Sequence, residues 1–204
     1  MGMRFWNSVT AMLLIANVLV YLTTFVPAIF DLLALTPNVA IGQGQYWQFF
    51  TYMYVHDTTD PMHIFLNMFS LVMFGPRIEE RMGKAKFFLF YTLCGLGAGL
   101  FHILIEGVGS IPLVGASGAI FGVLTAYGLF YPKDIIYFQL FIPMPAIVFI
   151  GFLAVMQLVL GIFGGGSIAF WGHLGGMLIG VILIKIFKFG ERRRPKVTYF
   201  WEVE

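Results

Sequence analysis

The chain has 204 residues, 59% of them hydrophobic and 11% charged, with a mean hydropathy of +0.88. Soluble domains carry roughly a quarter charged residues, so this composition excludes water as the main solvent. The formal net charge is only +2, and the basic residues lie between or beyond apolar runs. That pattern lacks the clustered basic face nucleic-acid binding needs, so no nucleic-acid partner is expected.

A helix that crosses a bilayer needs about 20 mostly apolar residues. Six runs approach this in chain order: 9–30, 62–77, 85–105, 113–131, 146–163 and 168–188. They predict an all-α integral membrane protein, with a six-helix membrane domain over 1–189 and a solvated tail over 190–204. The second run is the shortest and spans only if its flanks extend it. No small-residue cleavage site follows the first run, so no cleavable signal peptide is expected. Cys94 lies inside the third run, which allows no intrachain disulfide and predicts a small buried apolar residue.

The 12 Lys and Arg sort cleanly between these runs. Arg4 precedes the first. Arg77, Arg81, Lys84 and Lys86 join the second to the third, Lys133 lies between the fourth and fifth, and Lys185, Lys188, Arg192, Arg193, Arg194 and Lys196 end the chain. The connections 31–61, 106–112 and 164–167 contain none, and carry Asp31, Asp57, Asp60 and Glu106 instead. The positive-inside rule then predicts that both termini are cytoplasmic. The long first connection holds Tyr46, Trp47, Phe49, Phe50, Tyr52 and Tyr54, residues that favour the membrane interface. It reads as a hairpin or short helices lying in the outer leaflet.

Polar groups in hydrocarbon are expensive and face the protein interior. The second run carries His63 and Asn67, the third His102, the fourth Gly115-Ala116-Ser117-Gly118, the fifth Gln157 and the sixth His173. The second, fourth and sixth all run inward from the outer face. At 1.5 Å per residue, Ser117 and His173 lie roughly 5–8 Å below the starts of their runs, a depth His63 shares. His63 and Asn67 are four apart and share one helix face. Gly118 and Gly122, and Gly176 and Gly180, repeat at the same spacing, which lets helix backbones approach closely. Packing through these glycines would draw Ser117 and His173 together.

A serine hydroxyl is a weak nucleophile until a base takes its proton, and a neutral histidine does so near pH 7. The fourth and sixth runs carry no acidic residue, so the reading is a dyad without a carboxylate. His63, the Asn67 amide and the Ser117 backbone N–H at a helix start are available to hold an oxyanion. A shallow position open to the outer face would supply water.

These residues resemble the rhomboid intramembrane serine proteases over nearly the whole chain. Gly115-Ala116-Ser117-Gly118 is similar to the family's G-x-S-G with its nucleophile. His173, Gly176 and Gly180 resemble the last-helix motif with the general base. His63 and Asn67, with His56 upstream, are similar to the motif that serves the oxyanion hole. Glu79-Glu80-Arg81-Met82-Gly83 resembles the E-x-R-x-G that follows. The resemblance implies a six-helix core with a long first loop in the outer leaflet. It also implies cleavage of single-span membrane proteins near the outer surface, with no cofactor, and access gated by 146–163 and 164–167. Two positions depart from the family: Gln48 stands where Arg often follows Trp47, and Phe121 where Tyr often stacks on the base. Gly115 and His56 are possible site-lining residues, and His56 could equally sit wet in the loop.

Other readings compete. A catalytically silent relative that binds and escorts membrane clients tends to lose the serine or the histidine, and both are present. A transporter would need polar residues through the full membrane depth, which the inner halves of these runs lack. A metalloprotease would need H-E-x-x-H, and His63 and His173 lack carboxylate or thiol partners, so no metal is expected. His102 reads as interfacial or packed, and Gln157 as a helix–helix hydrogen bond without a role in the site. The short termini and lack of a targeting presequence predict a bacterial or archaeal plasma membrane.

Overall fold

The computed structural model describes residues 5–138, 141–163 and 170–190. Arg4, the expected cap loop 164–167 and the tail beyond 190 lie outside the described residues. The long helices are α1 (Val9–Thr23), α5 (Pro61–Met82), α6 (Lys84–Glu106), α7 (Ser117–Phe130), α8 (Ala146–Phe163) and α9 (Phe170–Lys185). Three short helices lie between α1 and α5: α2 (Pro27–Leu33), α3 (Pro37–Gly42) and α4 (Gln48–Thr51), followed by a 3-10 turn over Tyr52–Tyr54. By length and apolar composition, α6 and α8 can cross a membrane, whereas α1, α7 and α9 are apolar but shorter.

Several boundaries differ from those read in the sequence. The first apolar run breaks after Thr23, because Pro27 favours the first turn of a new helix and ends the old one. The second run extends to 22 residues, capped at its start by the Asp60 carboxylate, which accepts the Met62 N–H at 3.0 Å. The all-α expectation needs one correction. Ile135–Phe138 and Ile142–Pro145 form an antiparallel hairpin, β1 and β2. The run Ile135-Ile136-Tyr137-Phe138 is β-branched and aromatic, while Pro143 and Pro145 cannot sit inside a helix. The hairpin packs on α8 through Phe138, whose ring lies 5.3 Å from that of Phe152.

Glu79, fully buried near the end of α5, fixes the start of α1. Its carboxylate accepts the Val9 N–H at 2.8 Å, the Thr10 N–H at 2.9 Å and the Thr10 hydroxyl at 2.8 Å. A carboxylate there meets unpaired amides and the positive end of the helix dipole. At the same end, Arg77 pairs with Asp134 and donates to the Tyr127 hydroxyl at 2.9 Å.

The connection 31–61 is ordered. Gln48 is fully buried; its side-chain oxygen accepts the Thr36 N–H at 3.0 Å and its amide donates to the Asp31 carbonyl at 3.2 Å. Trp47 donates to the Leu32 carbonyl at 3.0 Å. The Tyr52 hydroxyl donates to the Gly95 carbonyl of α6 at 2.7 Å. Leu35 pairs with Leu113 through two backbone hydrogen bonds of 3.0 and 2.8 Å. The first loop is thereby stitched to the strand-like stretch that leads into α7.

Helices α6, α7 and α9 form the centre of the bundle. A Cβ on Gly176 would overlap the Gly118 carbonyl oxygen, and one on Gly180 would lie 3.2 Å from the Gly122 Cα. On the other side of α7, Ala98 and Cys94 of α6 fill the space beside Gly118 and Gly122. Cys94 is buried in this core. Gly176→Val places side-chain atoms inside the α7 backbone, and overpacking of this kind costs about 1–3 kcal/mol or more. Thermal melts of the purified protein are expected to show a clear loss for Gly176→Val. Gly151→Ala on α8, where a Cβ meets nothing within 4 Å, is expected to melt like the parent.

Candidate active site

Leu113 to Ala116 are not helical, so α7 begins at Ser117 itself, four residues later than the apolar run. Ser117 therefore opens its helix instead of lying a turn or two below the start. Gly115 holds φ +116°, a conformation natural only to glycine, and its N–H donates to the Tyr52 carbonyl at 3.1 Å. This anchored, left-handed residue turns the chain into α7 and presents Ser117 at its N-terminus.

His173 lies in the first turn of α9 as described. Its Nε2 is 2.7 Å from Ser117 Oγ, across the glycine contact. Its Nδ1 is 2.8 Å from Gln157 Oε1, on α8. With the amide oxygen facing Nδ1, that nitrogen carries the proton and donates. Nε2 is then the acceptor of the Ser117 O–H. The Phe121 ring, one turn after Ser117, stacks on the imidazole with centroids 4.3 Å apart and planes 10° from parallel. Gln157, read from the sequence as having no role in the site, is thus in contact with the imidazole. The signal for it was present: Ile150, Leu153 and Gln157 are the buried positions of α8 at helical spacing, so the one amide of this helix points inward.

His63 sits in the first turn of α5, and its Nδ1 accepts the Asp57 N–H at 3.3 Å. That leaves Nε2 to carry the proton. A Cβ built on Gly115 would lie 2.8 Å from His63 Nε2 and 3.6 Å from Ser117 Oγ. The missing side chain leaves room for a small group between a ring N–H and the serine hydroxyl. Asn67 is buried one turn below, where its amide donates to the His63 carbonyl at 2.8 Å and keeps a second N–H.

His56 is fully buried, with its ring edge-on to His63 at 5.1 Å between centroids, so it does not sit wet in the loop. Burial pushes its imidazole down to about 3, with the neighbouring His63 acting in the same direction. His102 lies on α6, with its Nδ1 buried and without a hydrogen-bond partner among the described residues, as a packed side chain would be. Among the described residues, no group of three or more His, Cys, Asp or Glu side chains could hold a metal ion.

The Rhomboid domain family profile matches residues 43–188. The chain is 30% identical over 168 residues to RHOMBOID-like protein 1 of Arabidopsis thaliana, covering 82% of this chain and 40% of that one. It is 32% identical over 149 residues to the mitochondrial Rhomboid protein 1 of Saccharomyces cerevisiae, covering 68% of this chain and 43% of the relative. Rhomboid-like protease 3 of Toxoplasma gondii is 27% identical over 157 residues, 77% of this chain and 57% of its own length. The chain thus spans only 40–57% of the length of these relatives. They include plant and mitochondrial proteins, which gives a prokaryotic plasma membrane no support.

The neutral state of His56 has a measurable consequence. The folded imidazole takes a proton only near pH 3, whereas the unfolded chain takes one near the ordinary 6.5, so stability falls as pH drops below 6.5. Melting temperatures of His56→Gln between pH 6 and pH 4 are expected to fall less steeply than those of the parent, by about 3–5 °C per pH unit. Equal slopes in the two proteins would contradict a buried neutral imidazole.

Proposed function

The chain belongs to the rhomboid family, whose members are membrane proteins, and from that premise we propose that it is an intramembrane serine endopeptidase acting on single-span membrane proteins. The observation that carries the proposal is the 2.7 Å contact between Ser117 Oγ and His173 Nε2, made across two helices. In this reading the chain crosses the bilayer six times and keeps both termini in the cytoplasm. The lipid-embedded domain covers 1–189 and the tail 190–204. Supporting this, Arg77, Arg81 and Lys84 gather at the end of the bundle opposite Ser117, where Glu79 meets the start of α1. The site then opens toward the outer face.

The chemistry follows from the geometry. Ser117 Oγ attacks the carbonyl carbon of the scissile bond while His173 Nε2 takes the hydroxyl proton. The carbonyl oxygen, now an oxyanion, occupies the space that a Gly115 side chain would fill. There it meets the His63 Nε2–H, with the Ser117 backbone N–H and the second Asn67 N–H as further donors. The His173 imidazolium returns its proton to the leaving amine, and the peptide C–N bond breaks to leave an acyl-Ser117. A water molecule, deprotonated by His173, then releases the acyl group. Positioned donors of this kind each contribute about 10²–10³ in rate.

The Phe121 ring restrains the imidazole plane through stacking, as a tyrosine would, without offering a hydroxyl. Cleavage of a single-span substrate with a weakened outer helix end, in detergent, tests the proposal. Ser117→Ala and His173→Ala are each expected to abolish product while melting like the parent. Undiminished cleavage by folded Ser117→Ala would exclude this nucleophile. An intact parent that binds the substrate without cutting it would instead favour the client-escorting reading.

A further inference from the structure

The imidazole of His173 has two nitrogens, and stacking on Phe121 does not decide which of them faces Ser117. A half-turn of the ring leaves its plane against the phenyl unchanged. The choice has to come from a partner on the far edge of the ring, and the partner there is Gln157, 2.8 Å from Nδ1. Its side chain is 4% exposed and lies on a helix whose other buried positions, Ala146, Ile150 and Leu153, are apolar. An amide buried in such surroundings is costly unless it is hydrogen-bonded.

We infer that Gln157 is a positioning residue, resting on the protease reading above: its amide oxygen holds the proton on Nδ1 and so keeps the Nε2 lone pair on the Ser117 hydroxyl. A carboxylate in this place would also stabilise the imidazolium, but it would have to be buried as a charge. The neutral amide gives orientation and tautomer without that cost. Because Gln157 belongs to α8 while His173 belongs to α9, the orientation of the base depends on how these two helices pack.

The test is a kinetic comparison of the full chain in detergent on a single-span substrate, with kcat and KM measured separately across pH. Gln157→Leu removes the acceptor at similar volume. It is expected to lower kcat about ten- to a hundred-fold, as misplacement of a catalytic group does. KM should stay within about two-fold, since no substrate contact is lost. Gln157→Glu keeps an acceptor and adds a negative charge. It is expected to retain more activity than Gln157→Leu and to move the acid limb of kcat about 1–2 pH units higher, because the neighbouring carboxylate favours the protonated base. The other titratable groups acting on His173 are His63 of α5 and His102 of α6, and both are the same in all variants.

A Gln157→Leu protein with the parent's kcat, or a Gln157→Glu protein with an unmoved profile, overturns the positioning role. If Gln157→Leu fails to elute as folded protein, Gln157→Met, unbranched and apolar, is read in its place. An active parent with an indifferent Gln157→Leu overturns this inference alone. A parent inert at every pH overturns the protease reading and this inference with it.

Discussion

The contact on which the rest of the molecule depends is the one between the backbones of α7 and α9. Between helices surrounded by lipid there is no hydrophobic gain from association, so close van der Waals packing has to hold them. Gly176 lies so close to the Gly118 carbonyl that a side chain there would overlap it, and Gly180 lies against Gly122 with room for a Cβ only at a tight 3.2 Å. From the α6 side, Ala98 and Cys94 fill the remaining space. A hydroxyl and an imidazole at the upper ends of two such helices can meet at 2.7 Å only while this packing holds. A shift of one ångström would take the pair out of hydrogen-bond range.

The other parts of the site are held by main-chain anchors rather than by charge. The Tyr52 carbonyl receives the Gly115 N–H, and the Tyr52 hydroxyl reaches Gly95 of α6. The Asp57 N–H sets the tautomer of His63. Gln48 ties the first connection together from inside, at the position where the family often has arginine. A neutral amide serves a buried loop well, because a guanidinium there would need a paired anion. The same economy recurs at Gln157. In both places a buried amide supplies direction without a buried charge.

Much of this was legible in the residues alone. Ser117, His173, His63 and Asn67 stand out because polar groups in apolar runs have few other reasons to be there. The glycine spacing announced where backbones would touch. Other features were not legible, each for a physical reason. Apolar Leu113 and Val114 read as the start of α7, and composition does not reveal that Leu113 pairs with the first loop. The hairpin between α7 and α8 was hidden in a connection too short to show a period. Gln157 looked idle because its partner lies 16 residues away on another helix, and pairing across helices leaves no local pattern. His56 showed its neutral, buried state only once its loop was folded over it.

The proposed chemistry requires Ser117 to be activated by His173 and by no other base. Its most direct test is to treat the protein with a fluorophosphonate and map the adduct by mass spectrometry, in the parent and in His173→Ala. A single adduct on Ser117 that disappears without the imidazole is the predicted result. An adduct on a different serine, or equal labelling of Ser117 when His173 is gone, would contradict it.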